Sequence, residues 1–241
     1  MDATNKVYKI ISYNVMSSTH LAGLLSIIEL DKPDLILIQE LLLDTDNLKI
    51  FISRARGFQA ASNVENIDSK KPGTGLIWHE SLPIRNITAL EPNRLQFAYI
   101  GPYPIVNVYP PAGSDNGPGR RVFFRDQLFR AMRGLGTKLP ILGGDWNAVI
   151  NVKDIEGGDY AKKKSQDLAD LVRNFNLTDA FRHLHPDKKE FTWKRKDKFG
   201  SRLDRFYLPQ ELLAGLMEVS HHAYLSDHKY TKMLVKLPEV E

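Results

Sequence analysis

Short apolar runs separated by polar segments dominate the chain, and most of these runs end directly at a polar residue. Runs of this kind are typical of buried β-strands. They predict strands at residues 7–14, 35–39, 75–78, 96–100, 105–109, 141–142, 191–193, 203–208, 219–221 and 231–235.

Three helices are predicted from apolar residues that recur every three or four positions. Residues 21–30 carry a continuous apolar stripe, and residues 120–135 have helical spacing that closes at Gly136. Residues 165–175 form the third predicted helix, with Ser165 as its N-cap. The pattern therefore indicates mixed α and β structure, and it contains no internal repeat.

Two polar loops, residues 110–119 and 153–164, are too short to act as linkers between domains. The length of 241 residues therefore favours one large α/β domain. No apolar run is long enough to cross a membrane, and we expect neither a membrane partner nor a secretory signal. The absence of cysteine excludes disulfides and thiolate metal sites, which leaves oxygen and imidazole ligands.

Positive charge is modest in total but clustered along the chain. The formal net charge is +4, yet residues 182–205 hold nine Lys and Arg against four Asp and Glu, and residues 120–133 hold five Arg against one Asp. Clustered cations suit a polyanionic partner, because displaced counterions drive association with phosphates. Taken alone, the same clusters also fit a solvated basic face.

Polar motifs that could carry chemistry lie at the ends of the apolar runs. They are Ser12-Tyr13-Asn14, Gln39-Glu40, Asn107-Val108-Tyr109, the segment 143–147 (Gly-Gly-Asp-Trp-Asn), the segment 201–205 (Ser-Arg-Leu-Asp-Arg) and Ser226-Asp227-His228. A carboxylate at a strand end is well placed to hold Mg²⁺, which prefers oxygen ligands. In an extended segment Asp145 and Asn147 would point to one face, and Gly143 and Gly144 would let a substrate backbone approach. Each motif alone also fits a turn or a surface loop.

The ordered set of motifs resembles the endonuclease/exonuclease/phosphatase superfamily, from Asn14 to His228. Within it, the segments 201–207 and 177–182 resemble the endonuclease domain of LINE-type (non-LTR) retrotransposons, and among these they resemble the branch that includes site-specific elements. The resemblance implies a DNase-I-like α/β fold, a four-layer sandwich of two packed mixed β-sheets flanked by helices. One departure is Met16, where many relatives carry Asp or Asn, so a metal-shell contact from that position is absent or replaced.

The resemblance also implies roles for individual residues. Glu40 would be the principal ligand of Mg²⁺, with Mn²⁺ as a substitute, and Asn14 and Asp227 would belong to the metal or water shell. Asp145 would orient or deprotonate the attacking water. Phosphate oxygens would be held by Tyr109, Asn147 and His228, and His228 would be paired with Asp204.

A basic β-hairpin is predicted between residues 192 and 202, with Gly200 in its charged tip. In the LINE-type endonucleases that this chain resembles, the hairpin at the corresponding position inserts toward a DNA groove. Basic residues in such a hairpin favour contact with DNA phosphates. The predicted DNA contacts are Thr192, Lys194, Arg195, Lys196, Lys198, Ser201 and Arg202. A solvent-exposed turn is the alternative interpretation.

The resemblance predicts an enzyme that nicks one strand of double-stranded DNA in the nucleus. The new 3′-hydroxyl would prime a reverse transcriptase domain of the same polyprotein, from which this chain would be one excised domain. The alternatives are an apurinic/apyrimidinic repair endonuclease and a catalytically inactive DNA-binding module. A small-molecule or lipid phosphatase fits the basic hairpin poorly.

Overall fold

The computed structural model describes residues 6–17, 20–64, 71–113, 117–157, 164–195 and 199–238. The strands are β1 (Val7–Asn14), β2 (Leu35–Leu41), β3 (Phe58–Ser62), β4 (Gly73–His79), β5 (Ile84–Glu91), β6 (Leu95–Ile100), β7 (Tyr103–Val108), β8 (Ile141–Asp145), β9 (Ile155–Glu156), β10 (Leu177–Asp179), β11 (Trp193–Arg195), β12 (Phe199–Ser201), β13 (Asp204–Pro209), β14 (Leu216–His222) and β15 (Tyr230–Lys236). The α-helices are α1 (Leu21–Asp31), α2 (Thr45–Ile52), α3 (Pro118–Val122), α4 (Phe129–Gly134), α5 (Gln166–Asn174) and α6 (Ala180–Leu184), and a π-helical turn (Phe123–Leu128) joins α3 to α4.

Two six-stranded mixed sheets form the centre of the molecule. The first has the order β14-β15-β1-β2-β4-β3, and the second has the order β10-β13-β8-β7-β6-β5. Strands β1 and β2 pair in parallel in the first sheet, as do β7 and β8 in the second, so the ends of these strands lie at common edges. A small third sheet, β11-β12-β9, contains the basic hairpin.

The core has three apolar layers, which gives the predicted four-layer sandwich. Side chains such as Leu37 and Phe206 fill the space between the two large sheets. Helices α1 and α2 cover the outer face of the first sheet, where Leu24 and Leu48 are buried. The helical stretch from α3 to α4, together with α5, covers the second sheet around Phe124. The predicted fold class is therefore confirmed.

Most predicted elements are present, and the missed ones have weak apolar signals. The cap of α5 is as predicted, since Ser165 Oγ accepts a hydrogen bond from Leu168 N at 3.1 Å. The missed strand β5 lies at a sheet edge and is largely exposed, so it carries no apolar run. The missed helix α2 is short, and only Leu48 and Ile52 are buried in it. Among the residues with described structure, no helix is long and apolar enough to cross a membrane.

Candidate active site

The predicted site residues meet at one edge of the sandwich because their strands end or begin there. Asn14 ends β1 and Asp145 ends β8, while Asp204 begins β13 directly opposite Asp145 in the antiparallel register. His228 follows in the connection between β14 and β15. Residues that are far apart in sequence, on both sheets, therefore face a common centre.

Asn14 joins the two sheets at this centre. Its Nδ2 donates to Glu40 Oε1 at 3.0 Å and to Asp145 Oδ2 at 2.9 Å, while its Oδ1 accepts from Met16 N at 2.9 Å. If the side-chain amide of Asn14 were rotated by 180°, its oxygen would face two carboxylates. Electrostatic repulsion therefore favours the orientation in which Nδ2 faces them. Asn14 therefore orients the two carboxylates through its Nδ2, while its Oδ1 accepts a hydrogen bond from the backbone of Met16.

Glu40 reaches the site through an irregularity in β2. The register between β2 and β4 shifts between Ile38 and Leu41, and Glu40 has a left-handed backbone with φ of 56°. A bulge redirects the side chain at that point of the strand. Left-handed backbone is uncommon for a residue other than glycine and costs conformational energy, so its position beside Asn14 is consistent with a functional role.

Asp204 and His228 form a buried hydrogen-bonded pair. His228 Nδ1 lies 2.9 Å from Asp204 Oδ2, as the resemblance implied. Burial alone would lower the pKa of His228, but the charges of Asp204 and Asp145 outweigh it and raise that pKa to about 10. The imidazole is therefore protonated at neutral pH, and its Nδ1–H donates to Asp204.

Asp145 lies next to this pair and is almost fully buried. Burial raises the pKa of Asp145 to about 6, and the charge of Asp204 adds to the rise while His228 opposes it. Asp145 also accepts a hydrogen bond from Asn147 N at 2.9 Å. One ligand atom from each of Asp145, Asp204 and His228 lies within 4.8 Å of the others, so the group could hold a metal ion.

Asn147 and Tyr109 flank the carboxylates. Strand β8 ends at Asp145, and Asn147 has a φ of 48°, so the expected extended geometry of Asp145 and Asn147 is wrong. Asn147 Nδ2 instead donates to Pro110 O at 3.1 Å. Tyr109 is buried, and burial followed by the charges of Glu40 and Asp145 raises the pKa of its hydroxyl. Its hydroxyl is therefore a neutral hydrogen-bond donor.

The two glycines before Asp145 serve internal packing rather than substrate approach, which corrects the sequence interpretation. A Cβ on Gly143 would lie 2.4 Å from the Phe206 ring and 2.6 Å from Leu37. A Cβ on Gly144 would lie 1.9 Å from Val108 O. The space beside both residues is thus already filled by the protein.

The site opens into a cleft of about 470 Å³. Its walls include Met16, Glu40, Asn147, Trp193, Asp227 and His228. A second cavity of similar size, about 480 Å³, lies near Phe97 and Leu135, but none of the predicted site residues lines it. The clustering of carboxylate, imidazole and amide groups makes the first cleft the candidate active site.

The hairpin beside the cleft contains both exposed and buried predicted contacts. Lys194 and Arg195 on β11 are exposed, whereas Lys196 and Lys198 lie outside the described residues. Thr192 is 1% exposed, and its hydroxyl oxygen accepts from Leu203 N at 2.9 Å and from Asp204 N at 3.0 Å. Thr192 therefore positions Asp204 from the interior and does not face a groove.

Ser201 and Arg202 are also buried, so the expected DNA contact from Arg202 is not supported. Arg202 is completely enclosed and pairs with Asp154 and Asp179. Burial alone would lower the pKa of its guanidinium, but the two aspartates outweigh burial and raise it. Arg202 belongs to the scaffold that supports the strand carrying Asp204.

Two contacts near the site were not predicted from the sequence. Trp193 Nε1 donates to Asp227 Oδ2 at 3.0 Å, and the Arg94 guanidinium lies 4.7 Å from the centre of the Tyr109 ring. The sequence contained Trp193 within the predicted hairpin, but nothing local pointed to a partner 34 residues away. Arg94 lies in the turn between β5 and β6 and gives no signal by itself.

A family profile described as the Endonuclease/Exonuclease/phosphatase family matches residues 11–228. The chain is 28% identical over 140 residues to the Transposon TX1 uncharacterized 149 kDa protein of Xenopus laevis, a match that covers 56% of this chain and 10% of that protein. The chain thus spans only about a tenth of this relative.

Solved structures with the same fold include two described as AP endonucleases. The protein from Archaeoglobus fulgidus superimposes with a TM-score of 0.81 at 16% identity, over 95% of this chain and 100% of that one. The protein from Leishmania major gives 0.76 at 18% identity, over 97% and 89%. A 3′-5′ exonuclease from Neisseria meningitidis gives 0.77 at 22% identity, over 95% and 100%.

Proposed function

This chain belongs to the endonuclease/exonuclease/phosphatase family, and on that basis we propose that it is a metal-dependent endonuclease that nicks one strand of duplex DNA. The observation that carries the proposal is the buried, protonated His228 held by Asp204 and placed beside Asp145. A fixed cation next to a carboxylate of near-neutral pKa suits stabilisation of a phosphoryl group during attack by water.

In the proposed reaction, water attacks the phosphorus of a phosphodiester in line with the leaving 3′ oxygen. Asp145, with its pKa of about 6, is largely ionised at neutral pH and accepts a proton from the water. His228 and the hydroxyl of Tyr109 donate hydrogen bonds to phosphate oxygens. Asn147 would join them by exchanging its hydrogen bond to Pro110 O for one to the phosphate. The bond between phosphorus and the 3′ oxygen breaks, and the 3′ oxygen takes up a proton from solvent, so the products are a 3′-hydroxyl and a 5′-phosphate.

The residues around the cleft suit a divalent cation with oxygen ligands. Glu40 and Asp227 line the cleft, and Asn14 holds Glu40 in place. A protonated His228 is a poor metal ligand, which favours the Glu40 side over the Asp145, Asp204 and His228 group. Mg²⁺ or Mn²⁺ at Glu40 would supply positive charge to the leaving oxygen.

We further propose that the nick serves a retrotransposon of the LINE type. The support is the similarity to a protein named as a Transposon TX1 product. The 3′-hydroxyl would prime a reverse transcriptase domain in the same polyprotein, and the chain would then act on chromosomal DNA in the nucleus. Exposed Lys194 and Arg195 would contact DNA phosphates beside the nick.

The test is cleavage of supercoiled plasmid, of a repeat-containing candidate target, and of a duplex with one abasic site, each with Mg²⁺ and with EDTA. The ends would be mapped to the nucleotide. Mg²⁺-dependent nicking of intact DNA, without preference for the abasic duplex, is the expected result, and nicks focused on the target would add site specificity.

A repair endonuclease is the second candidate, because the same fold occurs in the AP endonucleases that superimpose on this chain. Cutting confined to the abasic duplex would replace the retrotransposon proposal with this one. Binding of all three DNAs without any cutting would instead indicate an inactive DNA-binding module. The replacement of a metal-shell residue by Met16 would then be the first candidate cause of the inactivity.

A further inference from the structure

We propose that Trp193 is a positioning residue that fixes Asp227 at the cleft and couples it to the basic hairpin; this inference rests on the proposed nuclease function. Trp193 begins β11, and the next two residues of that strand are the exposed cations Lys194 and Arg195. The strand that presents cations to DNA therefore also carries the donor that holds a carboxylate of the active site.

The contact between the two side chains is direct. Trp193 Nε1 donates to Asp227 Oδ2 at 3.0 Å, and both residues line the 470 Å³ cleft. Asp227 is exposed, and Ser226 Oγ lies 3.5 Å from its other carboxylate oxygen, at the limit of a hydrogen bond. A charged acceptor strengthens the bond from the indole, so this contact is well suited to select one orientation of Asp227.

The backbone makes the same connection. Trp193 and His228 form an antiparallel bridge, and Lys229 N donates to Thr192 O at 2.7 Å. Thr192 in turn holds the amides of Leu203 and Asp204. The first strand of the hairpin is thus attached to the segments that carry Asp204, Asp227 and His228, and a displacement of the hairpin by DNA would be transmitted to all three.

The first experiment compares Trp193→Phe with the parental enzyme in plasmid nicking. Phenylalanine keeps an aromatic ring on β11 but removes the N–H donor. We expect kcat to fall about 10- to 100-fold, as is usual when a partner of a metal-site ligand is removed, while KM for DNA changes little. The Mg²⁺ concentration for half-maximal rate should rise. Trp78→Phe is the matched control, because Trp78 is also half-buried but lies on β4, away from the cleft.

A double-mutant comparison isolates the contact. If Trp193 acts through Asp227, then Trp193→Phe should cause no further loss of kcat in an Asp227→Ala background. Asp227 lies on an exposed connection, so Asp227→Ala should fold. It therefore removes the same contact from the partner side even if Trp193→Phe folds poorly. Losses that multiply, or a parental kcat and Mg²⁺ requirement in Trp193→Phe, would overturn the proposal.

Nuclear magnetic resonance of the indole N–H groups tests the contact without relying on activity. The chain contains three tryptophans, so Trp193→Phe assigns the resonance by its disappearance. We expect MgCl₂ alone to shift the Trp193 resonance and to leave Trp78 unchanged, and Asp227→Ala to abolish the response. A parental enzyme that nicks no DNA but shows this response would refute the proposed function and support the Trp193 contact. A Trp193 resonance insensitive to Asp227→Ala would overturn the contact itself.

Discussion

Replacement of Asp204 by asparagine tests the electrostatic pairing at the centre of the site. The pKa of His228 stands at about 10 against an ordinary value of 6.5, because Asp204 and Asp145 outweigh the opposite effect of burial. A tenfold change in a protonation equilibrium is ~1.4 kcal/mol, so this difference corresponds to roughly 5 kcal/mol in favour of the charged imidazole. Asp204→Asn preserves the shape of the side chain and removes the nearest negative charge, so the pKa of His228 should fall into the neutral range.

The contribution of His228 protonation to the free energy of unfolding should decrease as the pH rises. A folded-state pKa above the unfolded one stabilises the fold fully below about pH 6.5, and this stabilisation is lost as the pH rises through about 10. The difference in unfolding free energy between the parental protein and Asp204→Asn should therefore shrink between pH 7 and pH 10. Measurements start at pH 7, because burial raises the pKa of Asp145 to about 6 and adds its own titration below that.

Two assays check this prediction. Chemical denaturation at a series of pH values gives the stability difference, and a proton NMR titration of the ring gives the pKa of His228 in each protein. Turnover in plasmid nicking should fall by roughly 10²–10³-fold in Asp204→Asn, in the range expected when one group that stabilises the transition-state charge is lost. His222→Gln is a suitable control for the loss of a histidine, since His222 ends β14 and does not line the cleft.

The reasoning would be refuted by a His228 whose pKa stays near 10 in Asp204→Asn. It would also be refuted if the stability difference between the two proteins stayed constant from pH 7 to pH 10. Either result would mean that Asp204 is not the source of the raised pKa. A loss of turnover alone would not show that Asp204 raises the pKa of His228, because misplacement of the His228 ring would produce the same loss.

Four further predictions address the remaining parts of the site and its support. Asp145→Ala should lower nicking by orders of magnitude while circular dichroism and the melting temperature show a folded protein; cutting at the parental rate would remove Asp145 from the mechanism. Met16→Asn adds an oxygen ligand at the cleft wall, so the Mg²⁺ concentration for half-maximal nicking should fall; an unchanged requirement would show that this position does not contact the metal shell. Neutralising Lys194 and Arg195 to Gln should reduce the salt dependence of DNA binding by about 0.9 per lost phosphate contact, whereas Lys49→Gln on α2 should not; an unchanged slope would place the hairpin outside the interface. Arg202→Met should destabilise the fold by about 3–5 kcal/mol in chemical denaturation, because it removes the enclosed guanidinium that pairs with both Asp154 and Asp179; a change below about 1 kcal/mol would contradict the scaffold role.

The sequence predicted the fold class and the strand ends better than it predicted side-chain surroundings. Apolar runs identify strands such as β1 because a strand buried on both faces needs no alternation. The local pattern of apolar and polar residues could not predict that Gly143 packs against Phe206 or that Arg202 is enclosed, because both contacts involve segments distant in sequence. A basic residue in a charged hairpin looks like a DNA contact until its partners are known.

Site residues were predictable as a set but not in their individual relations. Their positions at strand ends implied a common edge, and the structure brings Asn14, Glu40, Asp145, Asp204 and His228 to that edge. The bridging role of Asn14 and the left-handed backbone of Glu40 depend on the distance between the two sheets, which no local pattern encodes. The sequence therefore sufficed to predict that these five residues share one edge, and three-dimensional packing was required to predict their contacts.

The charges around the cleft provide a physical reason for the proposed requirement for a divalent cation. Among the described residues of the site, the carboxylates are Glu40, Asp145, Asp204 and Asp227. The cationic side chains beside them are Arg120 and His228, which line the cleft, and Arg94, which lies over the Tyr109 ring. When all are ionised the balance is 3 − 4 = −1, before a DNA phosphate adds its own negative charge. Like charges at short distances repel strongly in a partly buried site. These seven groups therefore do not neutralise a bound phosphate, and a divalent cation at Glu40 would change their balance from −1 to +1.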